Sequence, residues 1–116
     1  MKIRIKGNSV RFRLTKSEVE RLRSASHLEE QTEFSGKTFA YAIEVTNGNK
    51  LSADFIGDKI MLNMPKVMID ELSNTDRVGF EDLTGPVNLL IEKDFACIDN
   101  TDEDQSDHYP NPHVAC

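Results

Sequence analysis

The chain has 116 residues, 38% of them hydrophobic and 29% charged, with a net charge of −6, which is the size and composition of one globular domain with a modest core. No apolar run approaches the roughly 18 residues of a membrane span, and the N-terminus has no apolar signal core, so a cytoplasmic location is expected. The charge is unevenly placed: residues 1–25 hold eight Lys/Arg against two acids, and the remainder holds six against eighteen. Such asymmetry points to an anionic or protein partner for one end, or to complementation between the ends.

Residues 2–6 alternate Ile3 and Ile5 with Lys2, Arg4 and Lys6, the period of a half-buried strand. Gly7-Asn8 gives a tight turn into a second strand that places Val10, Phe12 and Leu14 inward and Ser9, Arg11 and Arg13 outward. Thr15-Lys16-Ser17-Glu18 reads as a capping box opening a short helix to about Ser24, with Val19 and Leu22 as its apolar stripe. Strands at 27–34 and 37–46 follow, joined at Ser35-Gly36, with Phe39, Tyr41, Ile43 and Val45 on the buried side.

Asn47-Gly48 predicts a two-residue hairpin into a strand at 50–56. Gly57-Asp58 then turns into a strand at 59–64, and Pro65 opens a second helix at its first position. Strands near 77–82 and 86–93 complete the series. The second series repeats the first at an offset of 50 residues: Gly7-Asn8 with Gly57-Asp58, Val10, Phe12 and Leu14 with Ile60, Leu62 and Met64, Val19 and Leu22 with Ile69 and Leu72, Phe39 and Tyr41 with Leu89 and Ile91. Each copy is ββαββ, and a unit of this length usually completes its core against a neighbour.

The fold expected is therefore α+β: a single domain, 1–116, of two ββαββ units (about 1–46 and 50–94), forming one mainly antiparallel barrel or sheet with two short helices and an irregular acidic tail, 95–116. Ile5, Val10, Phe12, Leu14, Phe39, Tyr41, Phe55, Ile60, Leu62, Phe80, Leu89 and Ile91 make its expected core. Met61, Met64 and Met68 suit either that core or an adaptable apolar patch.

The run Gly7-Asn8-Ser9-Val10-Arg11-Phe12-Arg13-Leu14-Thr15-Lys16, and the second copy's Pro65-Lys66 and Asp76-Arg77-Val78-Gly79-Phe80, resemble the swapped-hairpin unit of AbrB- and MazE-type bacterial regulators. The resemblance implies DNA binding through the basic hairpin, with Arg13 at the family's arginine position and Lys2, Arg4, Lys6 and Arg11 on the same face. The second copy departs from it, with Asn63 in place of the arginine. The opening Ile3-Arg4-Ile5-Lys6-Gly7-Asn8-Ser9, Glu92-Lys93-Asp94-Phe95 and the tail around Tyr109-Pro110-Asn111-Pro112 are similar to a small bacterial family without an assigned activity.

The tail also carries Cys97, His108, His113 and Cys116. Their number and type suit a tetrahedral zinc, which would organise a segment with no core of its own. The competing readings are a buried thiol plus a free one, or a disulfide. The acidic run Asp99, Asp102, Glu103, Asp104 and Asp107 lacks the glycine and glutamate of a calcium loop, and its charge complements the basic hairpin. No phosphate loop, nucleophile elbow or metalloprotease helix motif is present. The expectation is a non-enzymatic binding or regulatory protein, monomeric or homodimeric, with no required cofactor. A nucleic-acid-binding module and a zinc-organised tail, structural or catalytic, are the alternatives.

Overall fold

A computed structural model describes residues 1–95 and 106–110. The elements follow in the order β1 (Lys2–Lys6), β2 (Ser9–Leu14), α1 (Lys16–Ala25), β3 (His27–Phe34), β4 (Lys37–Thr46), β5 (Ser52–Ile56), β6 (Lys59–Pro65), α2 (Lys66–Asn74), β7 (Gly79–Asp82) and β8 (Asn88–Lys93). The α+β class holds, but the eight strands form two four-stranded sheets, β1-β2-β8-β7 and β3-β4-β6-β5, rather than a closed barrel. Among the described residues β1, β7, β3 and β5 remain unpaired along one side. The core is closed by the helix pair instead. α1 and α2 pack on each other and on β3, β4 and β6, and they bring Val19, Leu22, Ile69 and Leu72 to Phe12, Leu14, Ile43, Leu62 and Ile91.

Both sheets are assembled in one pattern. The hairpin β1–β2 pairs in parallel with β8, which carries β7, and the hairpin β5–β6 pairs in parallel with β4, which carries β3. A hairpin from one half thus lies beside the last two strands of the other. The single 50-residue offset does not survive this pairing. Val10 lies opposite Leu89 in the first sheet, while Ile60 lies opposite Tyr41 in the second. Tyr41 and Ile43, not Phe39 and Tyr41, therefore correspond to Leu89 and Ile91. In this register β8 is offset from β4 by 48 residues, whereas β7 is offset from β3 by 52, since Leu28 lies opposite Ile43 and Phe80 opposite Ile91.

Asn47-Gly48 does not make a hairpin. β4 and β5 lie on opposite sides of β6, so the link crosses β6's end, and Leu51 anchors it in the core. The two-residue turns are elsewhere. Gly57 and Asp58 both have φ near +60, as a type I′ turn demands. Pro65 precedes α2 rather than opening it: it stays extended and ends β6. Thr15 stands before α1 as expected, with its amide donating to Glu18 Oε1 at 2.9 Å.

Val10, Phe12, Leu14, Leu62, Leu89 and Ile91 are core as expected, joined by Leu28, Leu51 and Met64. Tyr41, Ile60 and Phe80 are half-buried against it, and Phe39 is half-buried too. Ile5 and Phe55 are not core: they are 55% and 67% exposed. Both point to the inner side, but at a strand end beyond the reach of the helices. On the opposite face of β4, Ala40 and Ala42 are also buried. The Lys59 ammonium passes over these small side chains from β6 to reach Glu29 Oε1 on β3 at 2.6 Å, and it holds that carboxyl below its ordinary range.

Gly79 marks the tightest backbone approach. A Cβ there would stand 2.3 Å from the carbonyl oxygen of Ile91 and 2.9 Å from Glu92 Cα. Gly79→Ala should lower stability by about 1–3 kcal/mol through this backbone clash. Gly48→Ala, where the nearest atom is Thr46 Oγ1 at 3.5 Å, should be close to neutral. Urea denaturation of the two variants beside the parent chain checks both.

Candidate functional site: an apolar mouth beside a basic sheet

At the end of the molecule where the hairpins turn, the inner faces of the two sheets are left uncovered. A cleft of about 370 Å³ opens there, lined by Ile5, Val10, Phe39, Phe55, Ile60 and Val87 together with Gly7, Asn8, Ala53 and Asp54. The apolar lining comes in matched positions from the two halves: Ile5 with Phe55, Val10 with Ile60, and Phe39 with Val87. A second hollow of about 310 Å³ adjoins it across Phe39 and is lined by Phe34, Lys37, Thr38 and Asp58. Phe34 is 63% exposed. The rim is tied by Lys37 Nζ to Asp58 Oδ1 at 3.4 Å, and by the Asn8 side-chain amide donating to the carbonyl of Pro86. Three of the six phenylalanines, Phe34, Phe39 and Phe55, thus border these two hollows. Alternation told which face of its strand each residue occupies, but not how far along the strand the core extends.

The five predicted nucleic-acid-binding residues are brought together. The register of β1 with β2 (Lys2 with Arg13, Arg4 with Arg11, Lys6 with Ser9) puts Lys2, Arg4, Lys6, Arg11 and Arg13 on the outward face of the first sheet. β8 supplies a counterion that the sequence reading did not foresee. Glu92 Oε1 lies 2.8 Å from Arg13 Nε and 3.7 Å from Arg11 Nε. Lys2 Nζ is 3.3 Å from Asp94 Oδ2. Arg4 and Lys6 have no ion-pair partner among the described residues.

Of the four predicted metal ligands, Cys97, His113 and Cys116 lie outside the described residues, as do Asp99, Asp102, Glu103 and Asp104. His108 is buried, with Nε2 3.5 Å from Asp94 Oδ2 and Nδ1 without a hydrogen-bond partner among the described residues.

The run Glu92–Phe95 is a junction in which each residue has a distinct task. Glu92 neutralises the arginines. Lys93 is buried and donates to the carbonyl of Thr75 at 2.9 Å, placing a cation at the C-terminus of α2, where the helix dipole favours it. Burial pushes its pKa down. Asp94 receives Lys2 and His108, and its carbonyl accepts from the Tyr109 amide at 2.9 Å. Phe95 packs its ring 5.9 Å from that of Tyr109, which also lies under Lys93 at 4.9 Å. Asp107 then closes the first turn of α1. Its Oδ2 accepts from Ser17 Oγ at 2.5 Å, and its Oδ1 from the Ser17 amide at 3.2 Å. These hydrogen bonds hold its carboxyl below the ordinary range, the Ser17 side chain contributing most.

Residues 1–113 match the family of unknown function DUF7009, and the chain belongs to that family. Comparison with curated proteins and with solved structures gives no match. No helix among the described residues is long and apolar enough to cross a membrane.

The capping contact carries a pH dependence of definite sign. The Asp107 pKa is depressed in the folded chain, so its contribution is present above the unfolded value near 4 and is lost as pH falls through the folded value. Asp107→Ala should destabilise the chain by about 1 kcal/mol at neutral pH, as loss of a helix N-cap does. The difference from the parent chain should vanish in acid. Denaturation midpoints of both proteins at pH 7 and below pH 3 measure it.

Proposed function

We propose that this chain is a non-enzymatic binding protein whose binding surface is the apolar mouth between the β1–β2 and β5–β6 hairpins. The observation that carries this reading is the set of large apolar residues, Ile5, Phe34, Phe39 and Phe55, left around open clefts at one end of an otherwise well-closed core. A concave, mostly apolar site with a few polar groups at its rim is the usual form of a small-ligand or side-chain binding site. The reading of the two halves as copies of one ββαββ unit belongs to the same proposal. The matched pairs in the mouth and the common pairing pattern of the sheets support it, and such an origin explains why the mouth lies between the halves. At concentrations low enough to keep the parent chain monomeric, an apolar fluorescent dye such as ANS should be bound with enhanced emission. Phe55→Asp should weaken that binding about tenfold or more, the worth of one buried aromatic contact. Because Phe55 is exposed, circular dichroism should be unchanged. Absence of dye binding by the monomeric parent chain would overturn the reading.

The second reading, a nucleic-acid-binding module on the AbrB-like pattern, is favoured by the five bases on one outward face. Phosphate contacts make such binding fall steeply with salt. Duplex DNA should then bind at low ionic strength, and Arg11→Ala with Arg13→Ala should abolish it. A parent chain that shows no shift of labelled duplex at low salt would dispose of this reading.

A further inference from the structure

We infer that the occupant of the mouth is a second copy of this chain, with β1 of each copy adding antiparallel to β5 of the other. This rests on the binding reading of the mouth and names its partner. β1 and β5 are the outer strands of their sheets, and Ile5 of one and Phe55 of the other line the same cleft. Unpaired strand edges recruit other strands unless their side chains prevent it.

Charge selects which edges can meet. In β1 the outward residues are Lys2, Arg4 and Lys6, and in β5 the central one is Asp54. Pairing β1 with its own copy sets Arg4 against Arg4, and pairing β5 with its own copy sets Asp54 against Asp54. Only β1 with β5 sets Arg4 against Asp54, and opposite charges across strands stabilise where like charges destabilise. Arg4 has no ion-pair partner among the described residues, and Asp54 only accepts from the Asn63 amide at 3.1 Å.

The hydrogen-bond phase agrees with that register. Each hairpin turns through two residues, between Lys6 and Ser9 and between Ile56 and Lys59, and such a turn closes on a hydrogen-bonded pair. Counting back, Arg4 and Asp54 bond inward to β2 and β6. The backbone groups of Ile3, Ile5, Ala53 and Phe55 point to the free edges. With Arg4 opposite Asp54, Ile3 meets Phe55 and Ile5 meets Ala53. These are the pairs with free backbone groups, and their side chains lie on the mouth side. Because both edges border one mouth, a two-fold arrangement uses both at once and is closed. It sets mouth against mouth and encloses the exposed phenylalanines.

Sedimentation equilibrium of the intact chain should give a dimer that weakens with added salt. Arg4→Glu alone and Asp54→Lys alone should each raise the dissociation constant about tenfold or more, since each acts twice per dimer. The double charge exchange should restore association. Phe55→Asp should give monomers, while Val67→Asp, at a 68% exposed position on α2, should leave the dimer intact. Circular dichroism on every variant establishes that it folds. A dimer indifferent to all of the edge variants would overturn the inference, because its interface would lie elsewhere. A chain that stays monomeric at its highest soluble concentration but binds ANS would overturn the inference and leave the mouth as a site for a foreign ligand. A monomer that binds no dye would overturn both.

Discussion

The parallel pairing of β2 with β8, and of β4 with β6, is the constraint on which the rest of the structure depends. Neither hairpin has a sheet of its own. A lone two-stranded hairpin is marginal in water, and each is completed by strands from the other half. The exchange also decides what surrounds the core. α1 and α2 follow β2 and β6 directly, so fixing those two strands side by side with β8 and β4 brings the helices together over one shared set of apolar residues. It leaves β1 and β5 outermost, and with them the two sides of the mouth.

The segment Glu92–Phe95 is where the halves are locked. Four consecutive residues neutralise the basic face, cap α2, anchor Lys2 and seat Tyr109. Asp107 binds the first turn of α1 from the far side of the same segment. Two helix ends of opposite polarity are thus served by groups from one short region, an anion at the N-terminus of α1 and a cation at the C-terminus of α2, as the helix dipole prefers. The basic face of the first sheet is accordingly less bare than its sequence suggests, since Glu92 reaches two of its arginines.

Much of this was legible in the sequence because it depends on local rules. The bounds of β3 and β4 follow from alternation and from the turn at Ser35-Gly36, and the start of α1 from Thr15 and Glu18. What failed depended on distant contacts. Asn47-Gly48 has ideal hairpin chemistry, but burial of Leu51 and insertion of β6 between its flanking strands override it. The single 50-residue offset fails beyond the helices, where only the cross-strand register shows Val10 opposite Leu89 but Ile60 opposite Tyr41. Ile5 and Phe55 share the parity of core residues, and nothing in their neighbours says that the helices stop short of them. The roles of Asp94 and of the run around it emerge only when the N-terminal hairpin and residues 106–110 meet.

That meeting of ends also bears on how the molecule is made. All four strands of the second sheet lie within residues 27–65, so it can assemble from a continuous stretch of chain. The first sheet joins strands at 2–14 to strands at 79–93, and such separation slows folding because a long loop must close before any contact rewards it. On a ribosome, β1 and β2 emerge first and find their partner last. Through most of synthesis the hairpin must therefore wait with Val10, Phe12 and Leu14 exposed. Like charges at Lys2, Arg4, Lys6, Arg11 and Arg13 disfavour pairing of this hairpin with a copy of itself. The order of the strands along the chain thus sets the order in which the two sheets can be completed.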